Sequence, residues 1–185
     1  MQPLILASAS PRRKELIELT GIPFEVLVSD APEISEGTPD FLVTENARRK
    51  ALAVLNMKPG RFVLGADTIV FAGGEPLGKP RDDRDALRML RLLQNSWHEV
   101  YTGICLTNGK KEILRFDVTK VHFTAMTEKQ MLDYIATGEP MDKAGAYAVQ
   151  GRGGMYIDRL EGSYTTVIGL NTCLVRQMAE EAGLI

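Results

Sequence analysis

The stretch Leu4–Lys14, LILASASPRRK, admits few local structures. Leu4-Ile5-Leu6-Ala7 is a short apolar run that fits a buried strand. Ser8-Ala9-Ser10 are small, and Pro11 then suits the first turn of a helix capped by Ser10. Arg12 and Arg13 fall in that first turn, where the aligned peptide dipoles already carry partial positive charge. Two cations there make sense if an anion docks. Free backbone N–H groups and two guanidinium forks would then converge on phosphate. The plainer alternative is a pair of solvated arginines. The strand, the small turn, the cap and the proline all agree, which puts the phosphate reading first. No GxxxxGK[ST] or GxGxxG pattern occurs, so this is neither a P-loop nor a dinucleotide fingerprint.

Composition narrows the partners. The chain has 185 residues, 44% of them hydrophobic, enough for one domain with a core, folded as two lobes. The net charge is −2, so neither nucleic acid nor a membrane surface is an expected partner. Any phosphate site must come from local clustering. Cys105 and Cys173 each sit in an apolar run and read as buried core thiols, without zinc spacing, in a cytoplasmic protein. No secretory signal or membrane-spanning stretch is read. His98 and His122 lie in predicted strands and read as ordinary strand residues.

The remaining elements follow from local signals. The first helix is expected to run from Pro11 to about Thr20 with Gly21 as its stop. A strand over Phe24–Val28 and a polar loop over Ser29–Asp40 follow, the loop carrying Glu33 and Glu36. A long helix is expected from Pro39 to Asn56, and its apolar stripe includes Lys50. The lysine either snorkels from the core or reaches a phosphate. Phe62–Ala66 reads as a buried strand with Asp67 at its end, before a second apolar run, Thr68–Ala72. A carboxylate bracketed by apolar runs is costly to bury unless paired, so Asp67 is a candidate base or metal ligand.

Gly73-Gly74 is a hairpin turn. Lys79 sits between Gly78 and Pro80 in a restricted loop, and Asp82 or Asp83 caps a helix to about Leu93. Trp97–Thr107 and Glu112–Phe123 read as long strands joined across Asn108-Gly109. Thr127 and Gln130 form a capping box for a helix that Gly138 closes. The glycine-rich segment Glu139–Gly154 lets backbone approach a ligand closely. A strand over Met155–Leu160 and a last helix from Asn171 or Thr172 to Gly183 complete the chain. The pattern predicts an α/β fold with a mixed sheet and two lobes, whose cleft would gather Leu4–Lys14, Lys50, Asp67, Lys79 and the glycine-rich loop. Two arginines, two constrained lysines and a carboxylate suit a polyphosphate, and the lack of kinase or Walker motifs favours hydrolysis over phosphoryl transfer between substrates.

The motifs ASASPRRKEL, ENARRKA, LGADTIV, LGKP, VYTGICL and EPMDKAGAYAVQG together resemble the Maf family of nucleoside triphosphate pyrophosphatases. The resemblance covers Leu4 to about Leu170, within one domain spanning 1–185. It implies an elongated mixed sheet like that of the inosine triphosphate pyrophosphatases. It also implies hydrolysis of a nucleoside triphosphate to the monophosphate and pyrophosphate with Mg²⁺ or Mn²⁺. By motif, Asp67 would be the proton acceptor and a metal ligand, while Ser8, Arg12, Arg13, Lys50 and Lys79 would bind substrate. Glu33 would lie at the metal, although the Asp that usually precedes it is here Pro32. Arg12, Thr68 and Gln150 match the branch that hydrolyses dTTP and UTP rather than the 7-methyl-GTP branch. A neutral amide such as Gln150 suits the donor and acceptor edge of an uncharged pyrimidine. The resemblance suggests a homodimer. It also leaves a second reading, a nucleotide-binding regulator of septum formation and cell division with hydrolysis secondary.

Overall fold

A computed structural model describes residues 2–185. In chain order the elements are β1 (Leu4–Leu6), α1 (Pro11–Glu18), β2 (Phe24–Val26), α2 (Pro39–Met57), β3 (Val63–Ala72), β4 (Glu75–Leu77) and α3 (Asp83–Leu93). There follow β5 (Trp97–Thr107), β6 (Glu112–Phe123), α4 (Glu128–Ile135), β7 (Ile157–Glu161), α5 (Tyr164–Ile168) and α6 (Thr172–Ala182). Short 3₁₀ turns fill much of 139–156. The seven strands form one sheet in the order β2-β1-β3-β5-β6-β7, with β4 on β3. β1 is parallel to both β2 and β3, whereas β3–β4 and β6–β7 are antiparallel, so the sheet is mixed as expected.

The chain divides into two compact units. The first comprises residues up to Thr68, Thr102–Asp117 and Gly169–Ile185. Its core packs Ile5 and Ala7 with Ala47, Ala51, Val54 and Leu55 of α2, and with Val63 and Cys105. The second comprises Ile69–Tyr101 and Val118–Ile168, with a core built on Val70, Leu90, Leu93, Phe123, Tyr134 and Tyr147. Among the described residues no helix is long and apolar enough to cross a membrane.

Local chemistry sets most boundaries. Ser10 caps α1 by accepting the Arg13 N–H, and Pro11 opens the helix. Asp82 caps α3, and Thr127 with Gln130 forms a complete capping box on α4. Gly73 and Gly74 both have positive φ in the β3–β4 turn. Four expectations need correction. α1 ends at Glu18, leaving Leu19 exposed. β2 stops at Val26, because only Leu4–Leu6 are there to pair it. The last strand begins at Ile157, after a 3₁₀ turn over Arg152–Tyr156. Cys105 is buried but Cys173 is exposed, since it faces outward in the first turn of α6.

Candidate active site

Asp67 lies inside β3, not at its end. What stops beside it is β1. The parallel pairing of β1 with β3 finishes at Leu6↔Leu64, and the Ala7 N–H to Leu64 carbonyl bond follows it. Asp67 therefore sits just beyond the carboxyl end of β1, where the chain turns through Ser8–Ser10 into α1.

Two glycines bring α2 down onto this place. A Cβ at Gly65 would lie 2.1 Å from the Ala47 carbonyl oxygen, and one at Gly103 would lie 2.3 Å from that of Val43. Only glycine permits so close an approach of helix to sheet. Gly65 and Asp67 share one face of β3, so the same contact puts the Asp67 carboxylate under α2. Asn46 and Lys50, four apart on α2, stand together over it.

The contacts are specific. Lys50 Nζ lies 2.6 Å from Asp67 Oδ1 and 2.6 Å from Glu33 Oε1. Asn46 Nδ2 donates to Asp67 Oδ2 at 3.2 Å. The same amide grips the acidic loop: Nδ2 donates to the Ile34 carbonyl at 3.1 Å, and Oδ1 accepts the Ile34 N–H at 2.8 Å. Asp67 is only 6% exposed, yet each of its oxygens has a donor, which is what makes a buried carboxylate tolerable. Lys50 offers three N–H donors, and the two carboxylates take two of them.

The arginine-bearing turn is equally ordered. Arg13 Nε donates to the Gly169 carbonyl at 2.8 Å, Nη1 to Ser8 Oγ at 3.3 Å and Nη2 to Thr68 Oγ1 at 3.1 Å. Burial pulls the Arg13 guanidinium below its ordinary pKa; the negative charge of Asp67 opposes this, half-buried Arg12 adds to it and Glu33 opposes it again. Those couplings place both arginines and both carboxylates within one electrostatic neighbourhood. The structure thus brings together Ser8, Arg12, Arg13, Glu33, Lys50, Asp67 and Thr68, all in the first unit.

Lys79 and Gln150 belong to the second unit and are exposed. The Gly145 N–H donates to the Gly78 carbonyl at 3.0 Å, tying the Lys79 loop to the glycine-rich segment. Glu139 anchors the far end of that segment. It accepts from Tyr134 Oη at 2.7 Å and from the N–H groups of Arg152 and Gly153 at 3.0 and 3.1 Å, next to Gln150.

Sequence reading missed Asn46, Gly169, Glu139 and Thr102, whose Oγ1 shares a hydrogen bond with Thr68 Oγ1 at 2.9 Å. Asn46 carried a signal: it stands one helical turn before Lys50, on the stripe that reads as core. Gly169 meets Arg13 across 156 residues and Thr102 meets Thr68 across 34, whereas the partners of Glu139 lie 5 to 14 residues away, outside any local motif.

Among the described residues no group of three or more His, Cys, Asp or Glu side chains could hold a metal ion. Glu33 and Asp67 nonetheless converge on one cation, the Lys50 ammonium. Two carboxylates fit a hard divalent ion that takes its remaining ligands from water and phosphate oxygens.

The fold defines the class. The solved structure of the Staphylococcus aureus Ham1 protein matches with a TM-score of 0.58 over 98% of this chain and 100% of that one, at 14% identity. The family is narrower. Residues 3–182 match the family described as Maf-like protein, and the chain belongs to the Maf family. A relative from Aquifex aeolicus named dTTP/UTP pyrophosphatase is 40% identical, over 98% of this chain and 96% of its own length. One from Geobacillus sp. strain WCH70 with the same name is 46% identical, over 92% of each chain. A third, from Bacillus cytotoxicus and again so named, is 44% identical over 97% of this chain and 96% of its own.

Proposed function

We propose that this chain hydrolyses dTTP and UTP to the monophosphate and pyrophosphate. The observation that carries this reading is the buried Asp67 carboxylate, gripped by Lys50 and Asn46 beside the Ser8–Arg13 turn. The names and identities of the relatives support the substrates.

The residues divide the work as follows. Ser8, Arg12, Arg13 and the N–H groups at the start of α1 bind the phosphate chain. Asp67 accepts a proton from water as the water oxygen bonds to the α-phosphorus. The bond from that phosphorus to the bridging oxygen breaks, and pyrophosphate leaves with the electron pair. The third Lys50 N–H is directed to a phosphate oxygen. Mg²⁺ or Mn²⁺ bound by Glu33 and Asp67 would neutralise charge on the phosphate oxygens. On the family motifs, Lys79 is a further phosphate ligand, and Arg12, Thr68 and Gln150 set the base preference. Free Cys105 and Cys173 fit a reducing, cytoplasmic location, and the homodimer rests on the family resemblance.

The test is pyrophosphate release from purified protein with Mg²⁺ or Mn²⁺, across dTTP, UTP, CTP, GTP and 7-methyl-GTP. Preference for dTTP and UTP, with a loss of roughly 10²–10⁴ in kcat for Asp67→Asn, supports the reading. Normal turnover by Asp67→Asn removes Asp67 as the base. Preference for 7-methyl-GTP removes the base assignment and leaves the chemistry.

A further inference from the structure

Gln150 carries part of the base preference in the proposed function, yet its side chain is exposed, so the backbone beneath it must set where its amide stands. That backbone is built around two other side chains. Tyr134 is 3% exposed, on α4 in the core of the second unit. Its hydroxyl accepts the Ala148 N–H at 3.2 Å and donates to Glu139 Oε1 at 2.7 Å. Glu139 also accepts the Gly153 N–H on Oε1 at 3.1 Å and the Arg152 N–H on Oε2 at 3.0 Å. The chain is thus held at Ala148, before Gln150, and at Arg152 and Gly153, after it. Between those points it turns, the Gly151 N–H donating to the Ala148 carbonyl at 3.2 Å, with Gln150 inside the turn.

The glycines record how closely the loop lies on its supports. A Cβ at Gly151 would stand 2.5 Å from Glu139 Oε2. One at Gly153 would stand 2.6 Å from Tyr134 Oη and 2.9 Å from the Ala148 carbonyl oxygen. Side chains at these positions would push the loop off both residues. Burial alone would raise the pKa of the Glu139 carboxyl. The Arg152 N–H, the Tyr134 hydroxyl, the Gly153 N–H and the Lys143 charge outweigh it and hold the group below its ordinary value.

We infer that Glu139 and Tyr134 are positioning residues for base recognition: together they hold the Ala148–Gly153 turn so that the Gln150 amide meets the base at a fixed place. They act through Gln150 and do not touch substrate. An amide on an unfixed loop would still reach a base, but it would no longer favour one base over another. The inference rests on the base role proposed for Gln150.

The test compares dTTP with GTP, and both with inorganic tripolyphosphate, which carries no base. Glu139→Gln sets an amide NH₂ against N–H donors, and Tyr134→Phe keeps the ring in the core while removing the hydroxyl. In each variant kcat/KM for dTTP should fall about tenfold, the scale of one lost hydrogen bond, with GTP unchanged within about twofold. Calorimetric binding of tripolyphosphate with Mg²⁺ should stay within about twofold of the wild type. In a Gln150→Ala background both changes should leave the dTTP to GTP ratio where Gln150→Ala alone puts it. General loosening of the fold would instead weaken all three ligands together. If Glu139→Gln does not fold, Tyr134→Phe decides alone.

Three outcomes overturn the inference. One is an unchanged dTTP to GTP ratio in either folded variant. Another is a loss shared equally by dTTP, GTP and tripolyphosphate, which reduces the pair to a support of the fold. The third is a ratio that Gln150→Ala does not alter, or that falls further when Glu139→Gln is added to it. Failure of the wild type to release pyrophosphate from any nucleotide ends the proposed function, and the same ratio is then read from calorimetric binding of dTTP and GTP. A wild type that binds neither nucleotide ends both.

Discussion

Asn46 donates its side-chain amide to Asp67 Oδ2 at 3.2 Å while both ends of that amide hold the backbone at Ile34. One side chain thus joins the carboxylate of β3 to the loop that carries Glu33. Asn46 is 3% exposed, so water cannot substitute for the bonds it makes. Residues 27–38, which carry Glu33, lie in neither helix nor strand, so this clip, with the Lys50 ion pair, fixes where the Glu33 carboxylate lies.

Asn46→Leu removes all three bonds and keeps the bulk. Two backbone groups at Ile34 and one oxygen of Asp67 lose a partner, at about 1–3 kcal/mol for each buried group left unsatisfied. We expect a lower Tm and a fall in kcat of about ten- to a hundredfold, with Asn46→Asp failing as well because it adds a second carboxylate beside Asp67. Thermal unfolding and steady-state kinetics measure the two effects separately. A lowered Tm with unchanged kcat would reduce Asn46 to a loop anchor.

Gly65 supports a second prediction. Its absent side chain lets the Ala47 carbonyl approach to 2.1 Å of where a Cβ would stand. Gly65→Ala must push α2 outward by roughly an ångström, because the Ala47 carbonyl oxygen and the Ala51 amide nitrogen it would meet are both backbone. Overpacking of this kind costs about 1–3 kcal/mol or more. It also lifts Lys50 and Asn46 off Asp67, and a misplacement on this scale costs about a hundredfold in rate. Gly65→Ala should therefore lose activity at temperatures where it remains folded, as circular dichroism and pyrophosphate release on the same sample will show.

These two residues show which features could be read in the sequence. Signals whose cause is local were legible. Ser10 before Pro11, the Gly73-Gly74 turn, Asn108-Gly109 and the Thr127–Gln130 box each act within a few residues. Asp67 and Lys50 were legible as charges set among apolar neighbours, which demand an explanation wherever they occur. The surroundings of Asp67 were not. The sequence breaks an apolar run at residue 67 and so suggests a strand end, whereas β3 continues and its neighbour β1 is the strand that ends. Asn46 stands within ENARRKA, one turn before Lys50, but its partners at Ile34 and Asp67 lie 12 and 21 residues away and nothing local names them. Thr102 and Gly169 are further still from Arg13, and nothing in their own neighbourhoods marks them.

The two cysteines divide in the same way. Both sit in apolar runs, yet only Cys105 is core, and burial pushes its thiol up to about 12. Cys173 is exposed. A thiol-specific reagent at pH 8 should titrate one thiol in the folded protein and two in denaturant, and Cys173→Ser should abolish the fast reaction. Two fast thiols in the native protein would mean that the strand around Cys105 opens readily.

His98 provides a pH probe of the second unit. Its ring is 3% exposed, lies edge-on to Phe123 and Tyr147, and pairs Nε2 with Tyr147 Oη at 2.8 Å. Nδ1 has no hydrogen-bond partner among the described residues. Burial, with a smaller contribution from the charge of His122, lowers the pKa from 6.5 to about 3. The unfolded chain therefore binds a proton near pH 6.5, and the folded chain does so only near pH 3. Between those values the unfolded state holds more protons, so stability falls as pH falls, by about 1.4 kcal/mol per pH unit from this residue. Above pH 7 the residue contributes no slope. Urea unfolding at pH 7, 6 and 5 should show the wild type losing stability faster than His98→Phe, with the difference growing at each step. Parallel lines for the two proteins would mean that His98 is protonated in the folded state, and that the Tyr147 pair accommodates an imidazolium.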